Sequence, residues 1–197
     1  MKNFPSYLFV IISLTFTISC NHTYTPKPRG YFRIDLPSKS YHLYNPDSCP
    51  YAFEYPAYAR IEKDPEINAE PCWINISFPG YGAKLHISYK NVNGNLSDFT
   101  EDSRALAYKH TIKAEAINEK IYSRPGQHVY GTLYDIKGNT ASAVQFFVTD
   151  STKHFLRGAL YFNVEPNKDS LAPLISFFRQ DVIHIIETFR WKNINGE

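Results

Sequence analysis

No run of apolar residues in this chain reaches the ~20 that a membrane-spanning helix requires. Nor does one sign of charge dominate: 21 Lys and Arg stand against 19 Asp and Glu, a formal net charge of +2 with a pI near 8.3. The electrostatic footprint of a nucleic-acid binder is missing. Sequence signatures of catalysis are missing too. The chain has no Gly-x-Ser-x-Gly elbow, no Gly-Lys-Ser/Thr phosphate loop, no His-Glu-x-x-His, and no Cys or His pair at metal-ligand spacing. The seven His are scattered, and His86, His110 and His184 read as packing residues. Asp181 and His184, one helical turn apart, read as a surface contact. These absences predict no enzyme, no catalytic residue, no metal site and no cofactor.

What is present begins at the N-terminus. Lys2 and the apolar run Tyr7 to Ile18 have the length and polarity of a signal peptide. The run ends in Thr17-Ile18-Ser19-Cys20, which resembles the bacterial lipobox except that Thr17 stands where Leu is preferred. The expected organisation is a lipoprotein signal peptide over 1–19, a lipidated Cys20 with an extended tether over 20–30, and one globular domain over 31–193. Pro26 and Pro28 keep the tether out of helix. Acyl chains on Cys20, at ~0.8 kcal/mol per buried methylene, would hold the domain on a membrane without a spanning helix. The remaining cysteines, Cys49 and Cys72, form an even pair in an exported chain and suit a disulfide; two separate buried thiols are the alternative.

The 15 Tyr and 14 Phe suit half-buried strands. Alternation predicts strands at 31–36, 51–56, 72–78 and 83–90, with Pro79-Gly80-Tyr81-Gly82 turning the last pair into a hairpin. A stripe through Phe99, Leu106, His110, Ala114 and Ile117 predicts a helix from Ser97, its N-cap, to Glu119. Three strands follow at about 128–136, 140–149 and 154–163. Leu171, Leu174, Ile175, Phe178, Val182, Ile185, Ile186 and Phe189 mark a final helix, capped by Asp169 or Ser170 with Pro173 in its first turn. Strands, helix, meander and helix make an α+β fold with a mainly antiparallel sheet sandwiched by helices.

Strand period places Phe155, Arg157, Ala159, Tyr161 and Asn163 on one face of the third meander strand, and sets Gln145 on the second apart from Val144, Phe146 and Val148. A mid-strand Arg needs a partner. Either Arg157 bonds internally, to Asp150, Gln145 or a helix C-terminus, or Trp73, Gln145, Arg157 and Tyr161 form a docking face of hot-spot residue types. Asp150-Ser151-Thr152 and Asp169-Ser170-Leu171 resemble the short O-glycosylation pattern of exported Bacteroidetes proteins, which makes Ser151 and Ser170 candidate sites.

The order "FEYP", helix, "YGTLYDIKGNTASAVQFFVTD", "GALYFNV", helix and "ETFRW" resembles the PsbP-like α/β/α sandwich. A more specific resemblance rests on "YTPKPRGYFRIDLP", "CWINISFPGYGAKLHISYK", "GNTASAVQFFVTDSTKHFLRGALYFNVEPNKDSLAP" and "ETFRW". From Cys20 to Trp191 these segments resemble the gliding-motility lipoprotein GldD family of Bacteroidetes. The resemblance implies an exported, lipid-anchored, non-enzymatic accessory or assembly subunit, required for gliding and linked to type IX protein secretion. Its partners would be the membrane, through the lipid, and other gliding and secretion proteins of the envelope. Asn21-His22-Thr23-Tyr24 lacks the acidic run of surface-exported lipoproteins in that phylum, so the expected place is the periplasmic face of the outer membrane. A periplasmic small-ligand-binding or hydrolytic lipoprotein that uses the polar sheet face is the alternative.

Overall fold

The computed structural model describes residues 34–192. The signal peptide, Cys20 and the tether lie outside the described residues, as do Tyr31, Phe32 and Arg33. Among the described residues ten strands are present: β1 (Tyr41–Tyr44), β2 (Tyr51–Pro56), β3 (Arg60–Lys63), β4 (Ile74–Phe78), β5 (Ala83–Asn91), β6 (Ala114–Arg124), β7 (Val129–Gly138), β8 (Ser142–Thr149), β9 (His154–Phe162) and β10 (Arg190–Trp191). Two α-helices accompany them, α1 (Leu96–Tyr108) and α2 (Lys168–Thr188). Seven strands form one antiparallel sheet in the order β3-β4-β5-β9-β8-β7-β6, and β1, β2 and β10 form a second.

The period-2 pattern of the strands dictates two different sheet faces. Ile76, Leu85, Ile87, Phe146, Val148, Leu156 and Leu160 point to one side, where Phe178, Val182, Ile185 and Ile186 of α2 close the main core. Tyr51 and Phe53 of β2 enter the same core and stack with Phe189. Gly158 belongs to this face because a Cβ there would meet the Phe146 ring at 2.2 Å. On the opposite face α1 covers only part of the sheet. Ala107 packs with Tyr134, Ile136 and Phe147, and Phe99 lies against Phe155 at a centroid distance of 5.4 Å. The helices therefore lie on opposite faces of a mainly antiparallel sheet, the expected α+β sandwich.

Several expected elements differ. Ile34, Asp35 and Leu36 belong to no strand. Pro37 cannot donate to a ladder, and this segment is held by side chains instead: Ile34 packs on the core and the Tyr81 hydroxyl donates to the Asp35 carbonyl. The helix expected over 97–119 ends at Tyr108; a 3₁₀ turn (Lys109–Ile112) and the edge strand β6 take the rest. Ile112, in the 3₁₀ turn, is 92 % exposed. Asn95, not Ser97, precedes α1, and Asn167, not Asp169 or Ser170, caps α2 by accepting from the Ser170 N–H. Pro173 consequently sits beyond the first turn, where its ring nitrogen has no N–H to donate to the helix ladder. The C-terminus of α2 is satisfied from the far edge of the sheet. Arg124 of β6 donates to the carbonyls of Ile186, Glu187 and Phe189 at 2.7–2.8 Å.

Cys49 and Cys72 are joined in a disulfide, with Cα atoms 5.6 Å apart across 23 residues of sequence. Cys72 does not begin β4; it sits two residues earlier with φ of 68°. The bond ties the start of β2 to the connection that carries Trp73. Replacing both cysteines with serine is expected to cost about 3 kcal/mol, the loop-closure entropy of such a ring. Urea unfolding measures it, and two free thiols in the mass of unreduced wild-type protein would contradict the bond.

Candidate functional site

The uncovered part of the α1-side face is a groove of about 470 Å³. Its walls come from the β3–β4 connection (Asp64, Trp73), from β5 (His86, Ser88, Lys90), from α1 (Leu106) and from β9 (Arg157, Ala159, Tyr161). Strand register explains the convergence. Ser88 pairs with Arg157, His86 with Ala159 and Lys84 with Tyr161, so alternate residues of β5 and β9 stand side by side on this face. Trp73 is fixed by its indole N–H, which donates to the Tyr89 carbonyl at 2.8 Å, and by the Lys90 ammonium 5.1 Å from the ring centre. Arg157 donates to the Gln145 side-chain oxygen at 2.5 Å. Burial pushes the Arg157 pKa down, and the Tyr161 hydroxyl works against that shift. The Tyr161 and His86 rings meet edge to face at 5.5 Å, and burial lowers the His86 pKa while Asp64 pulls it back.

Trp73, Arg157 and Tyr161 thus meet around one groove, and Gln145 lies beneath as the bonding partner of Arg157. The two sequence readings of Arg157 coexist: it bonds Gln145 internally and still lines an open surface. Ser151 is exposed in the β8–β9 turn with φ of 69°. Ser170 is exposed in the first turn of α2. A larger recess, about 570 Å³, opens between α2 and β7, and it is lined by ion pairs. Asp135 pairs with Lys137 at 3.2 Å and Arg179 at 3.3 Å, and Lys168 pairs with Glu115.

Sequence reasoning missed a fully buried polar centre. Asp181 is not a surface residue; its side chain is fully buried and receives three donors. Lys39 donates to Oδ1 at 2.7 Å, the Tyr41 hydroxyl to Oδ1 at 3.1 Å and the Tyr58 hydroxyl to Oδ2 at 2.5 Å. Lys39 also donates to the Phe177 carbonyl and lies 3.3 Å from the Phe177 ring centre. Burial lowers the Lys39 pKa against the pull of Asp181, and burial together with Asp181 raises that of Tyr41 to about 12. His184 does not pair with Asp181. It bonds Glu54 at 2.7 Å and stacks on Tyr41 at 3.6 Å. This closed network pins the segment ahead of β1 onto α2. One signal could have revealed it: Asp181 follows Phe178 by three residues and precedes Ile185 by four, in phase with the buried stripe.

The fold and the groove define an α/β/α sandwich that seals one sheet face as core and presents the other, polar and aromatic, to its surroundings. The family model described as "Gliding motility lipoprotein GldD" matches residues 21–191, and the chain belongs to that family. It is accordingly a membrane-anchored envelope lipoprotein with a role in gliding motility. Among the described residues no helix is long and apolar enough to cross a membrane. The chain is similar to the solution structure of cyanobacterial PsbP (CyanoP) from Synechocystis sp. PCC 6803, at 16 % identity and a TM-score of 0.49, over 89 % of this chain and 98 % of that one. No curated protein sequence matches the chain.

Proposed function

We propose that this lipoprotein is a non-enzymatic accessory subunit of the gliding apparatus, linked to type IX protein secretion. The domain is held by lipid on Cys20 at the periplasmic face of the outer membrane, and it docks an envelope protein through the groove of Trp73, Arg157 and Tyr161, with the buried Gln145 holding Arg157 from beneath. One observation carries this reading: the hot-spot residue types Trp73, from the β3–β4 connection, and Arg157 and Tyr161, from β9, converge on one open face. Its mechanism is tethering and contact, with no bond made or broken.

Single replacements on such a face should weaken partner recovery while the fold survives. Tyr161→Ala and Arg157→Ala are the test pair. Both side chains leave β9 on the same side within about 13 Å. Removing Arg157 also leaves Gln145 without its guanidinium, so abundance has to be measured beside function. At least one variant is expected to accumulate normally, remain on the membrane, fail to support gliding and lose a crosslinked envelope partner. Normal gliding by two abundant variants would contradict the docking face. Turnover of an envelope substrate by the purified wild-type lipoprotein would favour the hydrolytic alternative and contradict the accessory role.

A further inference from the structure

Three features of the groove go beyond a flat contact face. The first is the charge state of Arg157. Among the described residues no carboxylate lies within ion-pair distance of its guanidinium; its partners are the neutral Gln145 amide oxygen and Tyr161 hydroxyl. A guanidinium withdrawn from water ordinarily takes an acid, because neutral oxygens recover only part of its lost hydration. Two neutral partners for five N–H donors leave much of the fork unused.

The second feature lies beneath the groove. Asn75 and Gln145 are each 1 % exposed, yet both polar atoms of the Asn75 side chain and the Gln145 Nε2 have no partner. Pairing sets them in one row across this face, Asn75 beside His86, His86 beside Ala159 and Ala159 beside Gln145. The third feature is shape. Ala159 stands between Arg157 and Tyr161 along the same face of β9 and is itself 1 % exposed, so the flanking Arg157 and Tyr161 side chains, not the small residue between them, form the open part of the groove.

The charge balance selects the ligand class. Lys90 is paired with Glu70, and Lys84 lies 3.8 Å from Glu62, so Arg157 is the groove's uncompensated cation among the described residues. Asp64 on the rim accepts the Glu66 N–H and makes no ion pair with Arg157. The planar fork matches a carboxylate, and the Asp64 charge on the rim weighs against any ligand that carries more than one negative charge. A phosphate dianion would carry an excess charge past Asp64.

Building on the docking role proposed above, we propose that the groove receives an Asp or Glu side chain of an extended protein segment. The carboxylate pairs with Arg157 beside Tyr161, and a neighbouring aromatic or aliphatic residue of the partner lies between Trp73 and Leu106. The partner's recognition element is therefore acidic and apolar together.

The test uses the full lipoprotein, ¹⁵N-labelled, in detergent micelles. Its two tryptophans give two indole N–H signals, one from Trp73 in the groove and one from Trp191 as an internal control. Acetyl-Phe-Asp-amide, its isostere acetyl-Phe-Asn-amide and inorganic phosphate are titrated in turn. The Asp peptide is expected to move the Trp73 signal saturably at a concentration at least tenfold lower than the Asn peptide, with phosphate and the Trp191 signal inert. Arg157→Gln should erase the tenfold preference. Arg157→Lys, which keeps the charge and loses the fork, should retain only part of it and decides the matter if the first variant does not fold. Equal response to the two peptides, no response, or a response to phosphate equal to that of the Asp peptide would overturn the carboxylate receptor. Failure of the docking role reads differently. There the peptide preference would persist while Tyr161→Ala cells kept their crosslinked partner.

Discussion

Asp181→Ala is expected to destabilise the domain by about 3–5 kcal/mol, the cost of removing one partner from a buried ion pair. The carboxylate is fully enclosed, and its loss leaves the Lys39 ammonium and the Tyr41 and Tyr58 hydroxyls without their shared acceptor. Lys39 remains 25 % exposed and can turn towards water, which favours the lower end of the range. Such a loss is a large part of the roughly 5–15 kcal/mol that holds a typical domain folded. Tyr58→Phe removes one donor to Asp181 and one acceptor of Lys39 but leaves the ion pair, and should cost only about 1–2 kcal/mol. Urea midpoints of the two purified variants measure the contrast. An Asp181→Ala cost below about 1 kcal/mol would show that the clasp contributes nothing to holding the segment before β1 on α2.

The second large effect concerns attachment. If Cys20 carries the lipid, Cys20→Ser is expected to abolish labelling by an alkyne fatty acid and to leave either an uncleaved precursor or a soluble form. Because each buried methylene contributes ~0.8 kcal/mol, loss of the acyl chains should shift the protein out of the membrane fraction almost completely. Gliding should fail even though the globular domain is unchanged, since a docking face acts only where its partner is. Unchanged labelling in the variant would remove Cys20 as the anchor.

The meander and α2 were legible because burial imposes a period. β8 and β9 lie within two residues of their expected limits, since each alternates between a core face and a half-covered face. The same period put Arg157 and Tyr161 together and set Gln145 apart from the core residues of its strand, which made part of the groove readable, while His86, read as packing, and Asp64, Ser88 and Lys90 were not recognised as its walls. β6 was not readable. It is an edge strand whose side chains are mostly in water, Ile121 being 79 % exposed, so no alternation marks it. Its Ala, Glu and Lys residues also suit a helix, and they extended the expected α1 stripe. Asp181 was misread for a different reason. Its donors come from residues 39, 41 and 58, more than 120 positions away, and long-range pairing of this kind leaves no local trace. Arg124 is similar. Nothing in its neighbourhood indicates that it caps a helix 62 to 65 residues later.

The docking groove is the centre of the account, and contact in the living envelope tests it most directly. A photoreactive amino acid placed at Leu106, on the groove wall, is compared with one at Leu43 on β1, which is 53 % exposed and belongs to the other sheet. The account predicts a discrete adduct with an envelope protein from position 106 and none from position 43. Adducts from position 43 with none from position 106 would contradict it.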